Sequence, residues 1–289
     1  MICVRKDADS GDELSVSAAE LRIIEDLDLR EPAINIGLEE AIAEAVYDGR
    51  SPPTIRFWRN TRSAIIGRSQ EAEVELDLGN CDRAGITVVR RPTGGGAVLH
   101  HPDNLNYSLY LPKSSSSSVE EESIEMSKPV ASGLSGLGLD VEVRANGLFL
   151  GEKKIGGTAQ SRRKGLLHHG TLLVSKDSIM EEMNSFLKAG RPEYSRTVSR
   201  VGSKPDGVSN LTDLVKGRLL LPNLVGTLVN EWSRVLDMRP VRGTISKEEW
   251  KIGSYLAETK YRSPDWNFRF SQGRNDRESS AKIESGGAG

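Results

Sequence analysis

Two cysteines, Cys3 and Cys81, are all that the 289 residues contain. They are too few for a disulfide framework and lack the Cys-x-x-Cys spacing of a zinc or redox site, so a reducing, cytoplasmic setting is expected. An excess of one charge is also missing. Thirty-nine Lys and Arg face 41 Asp and Glu, a net −2. No global basic field therefore draws in nucleic acid or an acidic membrane surface, and any anion site has to be local. No apolar run approaches the roughly 18 residues of a membrane span, and the opening MICVRKDADSGDELS is too polar for a signal peptide. Aromatic residues make up 5% of the chain, which leaves an aliphatic core and weighs against stacking on single-stranded nucleic acid.

The two ends carry few apolar residues and read as flexible segments over 1–18 and 272–289, leaving 19–271 as one folded unit. Within it, INIGLEEAIAEAVYDG places Ile36, Leu38, Ile42, Ala43 and Val46 at near-helical spacing, with Gly49 as C-cap. Short β-prone runs follow at 54–58, 63–67, 86–90, 97–101 and 106–111, and again at 141–145, 148–160 and 166–174. KSSSSSVEEES (113–123) reads as a loop whose last serines cap a helix; further helices are expected at 177–188, 222–237 and 247–258. Strands in runs with helices grouped around them give an α+β fold, a mixed β-sheet flanked by helices.

Chemistry concentrates in two stretches. The first, RRPTGGGAVLHHPDNLNYS (90–108), is neither a P-loop nor a G-x-G-x-x-G fingerprint, because no Lys-Ser or Lys-Thr follows the glycines and no helix does. Its bland reading is a hairpin turn. Arg90 and Arg91 beside Gly94, Gly95 and Gly96 also make a local anion site, where bare backbone amides can approach a carboxylate or phosphate. The second, GEKKIGGTAQSRRKGLLHHGTLLV (151–174), sets Lys153 and Lys154 on a strand, of which alternation turns only one inward; Lys154, followed by small residues, is the better candidate. Arg162, Arg163 and Lys164 read as a basic hairpin turn. All four histidines fall in two pairs, His100-His101 and His168-His169, and each pair can present at most one ring to a given face.

Both stretches resemble the signatures of lipoate-protein ligases: Arg-Arg-x-x-Gly-Gly-Gly-x-Val-x-His-Asp, then a Lys-Ile-x-Gly-x-Ala segment and a His-His-Gly-Thr strand. INIGLEEAI, TIRFWRNTRSAIIGRSQEAEVELD and KYRSPDWNF (260–268) are similar to that family's opening helix, first strands and closing segment. The resemblance implies the biotin/lipoate-ligase fold and a two-step reaction. Lipoate and ATP, with magnesium at no assigned site, give lipoyl-adenylate and pyrophosphate; the lipoyl group then passes to a lysine of an acceptor such as a lipoyl domain or H protein.

It also implies site residues. Arg90, Arg91, Gly94, Gly95, Gly96, Ala97, Val98, Leu99 and Asn104 would bind ATP and the adenylate together with Gly157, His169, Gly170 and Thr171. Lys154 would be catalytic, bound to the acyl oxygen and α-phosphate where charge develops. Octanoyl transferases of related sequence use a cysteine shortly before the Lys-Ile segment, and VEVRANGLFLGEKKIGG has none. Three positions depart from the pattern: His101 for Asp, Asp103 for Gly, and Gly147 for the acid of an Asn-Asp pair. Many bacterial members continue into an accessory domain, so the resemblance implies the catalytic part of a split ligase with a separate small subunit. An octanoyl or lipoyl transferase, or a non-catalytic lipoyl-adenylate binder, are the alternatives.

Overall fold

The computed structural model describes residues 19–113, 118–174, 179–194, 201–215 and 219–270. The ends read as flexible, 1–18 and 272–289, lie outside these residues, as do serines 114–117.

Among the described residues, eleven strands form two sheets: β1 (Glu20–Arg30), β2 (Thr54–Asn60), β3 (Ser63–Ile66), β4 (Thr87–Arg90), β5 (Val98–His100), β6 (Leu105–Leu111), β7 (Glu142–Arg144), β8 (Gly147–Leu150), β9 (Lys153–Arg162), β10 (Leu166–Leu172) and β11 (Arg239–Arg242). The large sheet runs β11-β1-β2-β6-β10-β9-β8-β7 and the small one β4-β3-β5, with parallel and antiparallel pairs in each. The helices are α1 (Pro32–Tyr47), α2 (Ala72–Glu75), α3 (Leu78–Arg83), α4 (Val119–Ser135), α5 (Ile179–Phe186), α6 (Leu211–Leu214), α7 (Leu221–Leu236), α8 (Lys247–Leu256) and α9 (Pro264–Asn267). The α+β expectation holds.

Local chemistry sets the boundaries. Pro32 opens α1 at its first turn, where a missing N–H costs nothing, and Gly49 follows its end at φ 70°. Ser118 and Glu121 close a capping box on α4, and Ser246 and Glu249 do the same on α8. The run expected as one strand over 148–160 is two: Gly151 at φ 57° turns the chain between β8 and β9. Two strands carry no clear sequence signal. In β1, Glu25, Asp26 and Asp28 interrupt the apolar run, yet Asp26 is neutralised by Arg56 at 2.7 Å and by Arg30. β11 is a short, mostly exposed edge.

The large sheet is covered on both faces. On one, Phe57, Tyr107, Leu148 and Leu172 pack with Val130 and Leu134 of α4 and Leu228 and Trp232 of α7. On the other, Ile24, Tyr110 and Leu167 pack with Ile42 and Val46 of α1. Because both faces are covered, all seven residues of β10 are buried, and polar ones among them need partners. α1 is buried almost all round rather than on one stripe, and it carries Asn35 and Glu39 inward at 0% exposure.

Candidate functional site

Between the small sheet, β9, β10 and the segment 201–208 lies a cavity of about 860 Å³. Its floor is set by β9–β10 register: His169, Gly170 and Thr171 lie opposite Ala159, Thr158 and Gly157. Of the residues singled out in the sequence, Arg91, Gly95, Gly96, Ala97, Val98, Lys154, Gly157, His169, Gly170 and Thr171 line it. Arg90, Gly94, Leu99 and Asn104 do not.

Each of those four has a visible job elsewhere. The Arg90 guanidinium donates to the carbonyls of Gly67, Gln70 and Asn267 at 2.9, 2.6 and 2.7 Å, tying the small sheet to α9, and burial pushes its pKa down to about 10. Leu99 is core between β5 and α3. Gly94 gives its carbonyl to Arg91. Asn104 accepts from the Val174 amide at 3.3 Å.

Arg91 faces the cavity, but its donors turn back onto its own loop. Nε donates to Thr93 Oγ1 at 3.0 Å, and Nη2 to the carbonyls of Gly94 and Gly96. It therefore shapes the triple-glycine loop and leaves its positive charge there. The loop needs glycine for two close approaches. Gly95 sits at φ 86° with its carbonyl where a Cβ on Gly67 would lie, and a Cβ on Gly96 would meet Ser203 Oγ at 3.0 Å. Ser203 Oγ in turn accepts from the Ala97 amide at 2.9 Å.

The histidine pairs split as strand alternation requires. His169 faces α1: Nδ1–H donates to Glu39 Oε1 at 2.6 Å, and Nε2 meets Thr93 Oγ1 at 2.8 Å. Burial works to raise the Glu39 carboxyl, but the neighbouring His169 and hydrogen bonds from His169 and Ser108 outweigh it and hold it below its ordinary value. Arg91, Thr93, His169 and Glu39 thus form one continuous chain beneath the cavity. His100 belongs to a second chain: Asn35 donates to Asn60, Asn60 to His100 Nδ1, His100 Nε2–H to Thr171, and Thr171 to Asn106. That order fixes a neutral imidazole, and burial pushes its pKa down to about 3. His168 faces α4 beside Ser127, also pushed down to about 3, and His101 turns to the Asp103 amide, off the cavity.

These two buried rings have a consequence for acid stability. Below about pH 6.5 the unfolded chain binds protons that His100 and His168 refuse while folded, so stability falls as pH falls. Glu39, a depressed carboxyl, acts in the same direction at lower pH. The thermal midpoint should drop progressively from about pH 6.5 to pH 4, with a shallower slope in a His168→Gln variant; a flat profile would refute this.

Lys154 reaches the cavity as alternation predicts, while Lys153 is exposed. Its Nζ lies 2.9 Å from Asp206 Oδ2 and 5.6 Å from the Phe149 ring centre. Its stem passes over Gly147, where a Cβ would lie 2.8 Å from Lys154 Cε and 2.2 Å from the Gly156 carbonyl. Position 147 thus has no room for the acid of the family pattern. The basic turn at 162–164 is matched internally, Arg162 by Glu122 at 3.1 Å and Lys164 by Glu44 at 2.8 Å.

Sequence reasoning did not find Glu39, Thr93, Asn146, Ser203 or Asp206. Glu39 had one available signal, an acid on the apolar side of a helix; Thr93 and Asn146 lie inside RRPTGGGAVLHHPDNLNYS and VEVRANGLFLGEKKIGG, between Arg91 and the glycines and beside Gly147, and Ser203 and Asp206 are joined to the site only by the fold. Among the described residues no group of three His, Cys, Asp or Glu could hold a metal, and Asp206 is the single acid lining the cavity. No helix among the described residues is long and apolar enough to cross a membrane.

The family profile described as lipoyl protein ligase A/B catalytic domain matches residues 31–232. Lipoate-protein ligase A subunit 1 of Thermoplasma acidophilum is 31% identical over 81% of this chain and 91% of its own length. Octanoyltransferase LipM of Carboxydothermus hydrogenoformans is 28% identical over 82% of this chain and 95% of its own. The structure of a bi-partite lipoate protein ligase with its E2 lipoyl domain, from T. acidophilum, superposes with TM-score 0.73 at 30% identity, covering 87% of this chain and 96% of that one. A lipoate-protein ligase A bound with ATP gives TM-score 0.72 at 29% identity over 87% and 98%.

Proposed function

The chain belongs to the lipoyl protein ligase A/B catalytic-domain family, and we propose that within it this protein is an ATP-dependent lipoate ligase. In this reading the lipoate carboxylate attacks the α-phosphorus of ATP, pyrophosphate leaves, and an acceptor lysine then displaces AMP from lipoyl-adenylate. Lys154 is the catalytic cation, holding the acyl oxygen and α-phosphate as negative charge builds on them. The loop 94–98, shaped by Arg91, forms the wall facing the phosphates, and His169, Gly170 and Thr171 the floor. The catalytic unit spans 19–271 and works in the cytoplasm. An E2-type lipoyl domain is the acceptor class, and a separate accessory subunit the partner, as the bi-partite T. acidophilum ligase suggests.

One observation carries the choice of chemistry. Among the described residues no cysteine lines the cavity, and 141–153, where a thioester-forming cysteine would be expected, has none. Cys81 is core between α3 and the small sheet, and burial pushes its thiol up to about 11. Without a cysteine to carry the acyl group, an acyl-adenylate, a mixed carboxylic–phosphoric anhydride, is favoured over a thioester. A Cys81→Ala variant should keep activity within about twofold, since the change removes buried packing and no reacting group. The direct test is pyrophosphate release from ATP with lipoate, with and without the accessory subunit.

The similarity to LipM octanoyltransferases favours one other reading, acyl transfer from a carrier protein. Octanoyl transfer from acyl carrier protein to a lipoyl domain without ATP would establish it, and a large loss in Cys81→Ala would identify its nucleophile.

A further inference from the structure

Lysine is a poor catalytic cation unless something aims it, because its ammonium rides on a four-carbon stem with many rotamers. In this chain the stem is confined by the bare backbone of Gly147, and the ammonium meets one carboxylate, Asp206, at 2.9 Å. Asn146 Nδ2 donates to the same Asp206 oxygen at 3.3 Å, so the acid is itself oriented. The segment that carries it is pinned on both sides. The Lys154 amide donates to the Gly207 carbonyl at 2.8 Å, and the Ser209 amide donates to the Lys154 carbonyl at 3.0 Å. Farther along, Ser203 Oγ accepts from Ala97 and from Gln70 Nε2, the latter at 3.1 Å. Asp206 therefore cannot drift from Lys154 without breaking a backbone pairing to that same residue.

We propose that Asp206 is the positioning residue of Lys154: it takes one of the three ammonium N–H donors and leaves the other two aimed into the cavity. Two donors match two ligand oxygens, the acyl carbonyl and an α-phosphate oxygen, so the acid need not leave when the ligand arrives. As the single acid among the described lining residues, Asp206 is the one that can do this with a charge-assisted hydrogen bond. The inference rests on the proposed role of Lys154 and extends it.

The test is a double-mutant cycle read by calorimetric binding of a stable lipoyl-adenylate analogue with a sulfamoyl group in place of the phosphate. Asp206→Asn should weaken binding roughly tenfold, the scale of one charge-assisted hydrogen bond. Asp206→Glu should recover most of the loss, and Asp206→Asn should add nothing in a Lys154→Ala background. Unchanged binding by Asp206→Asn, or a loss equally large without Lys154, would overturn the inference and leave the role of Lys154 standing. Wild-type binding by Lys154→Ala would instead remove that role, and this inference with it.

Discussion

Replacing Lys154 with alanine is expected to lower kcat/KM for pyrophosphate release by about 10²–10³-fold, with folding intact. The size follows from what the residue offers. It is an inward-facing ammonium in a cavity whose other cation in the first motif, Arg91, has turned its donors onto loop carbonyls. Of the other cations lining it, Arg191 is paired with Asp77 and Lys204 is exposed, and a preorganised cation in a partly enclosed site is worth more than one in water. Folding should survive because the side chain lies at the cavity wall, held by one partly exposed ion pair and its contacts with Gly147 and Phe149 rather than in the core. An activity loss below about threefold would show that the charge is stabilised elsewhere.

Glu39→Ala should act on stability. Its carboxylate is fully buried, accepts from His169 Nδ1 at 2.6 Å and from Ser108, and closes the chain that begins at Arg91. Removing it leaves His169 and Ser108 without their acceptor and Arg91 without the buried negative charge that balances it. Breaking such a pair costs about 3–5 kcal/mol, or a fall of roughly 10 °C in thermal midpoint for a chain of this size. Glu39→Gln, which keeps the shape and one acceptor, should lose less. Calorimetry on both variants checks the order, and equal midpoints for wild type and Glu39→Ala would contradict it.

How much of this was legible beforehand differs by element. Motif spacing located the glycine loop, Lys154 and the HHGT strand, and strand alternation divided each histidine pair and the Lys153-Lys154 pair. The capping serine of α4 and the glycine after α1 were readable because caps are local chemistry. β1 was not, since its acids look incompatible with a strand until Arg56 and Arg30 are seen beside Asp26. Arg90 and Arg91, adjacent and chemically alike, read as one anion site, yet the fold sends the first to the α9 carbonyls and the second to its own loop. Asp206 lies 52 residues from Lys154, in a Lys-Pro-Asp-Gly turn with no mark of function; only the parallel pairing of Lys154 with Val208 brings them together.

The central claim is that this cavity joins lipoate to a protein through an adenylate. It is tested most directly by intact-mass spectrometry of an E2-type lipoyl domain incubated with this protein, the accessory subunit, lipoate, ATP and magnesium. The account predicts a gain of one lipoyl group on the domain's lysine that disappears when ATP is omitted or when Lys154→Ala replaces the wild type. No gain with ATP and lipoate, but an acyl gain when octanoyl-acyl carrier protein replaces them, would contradict it.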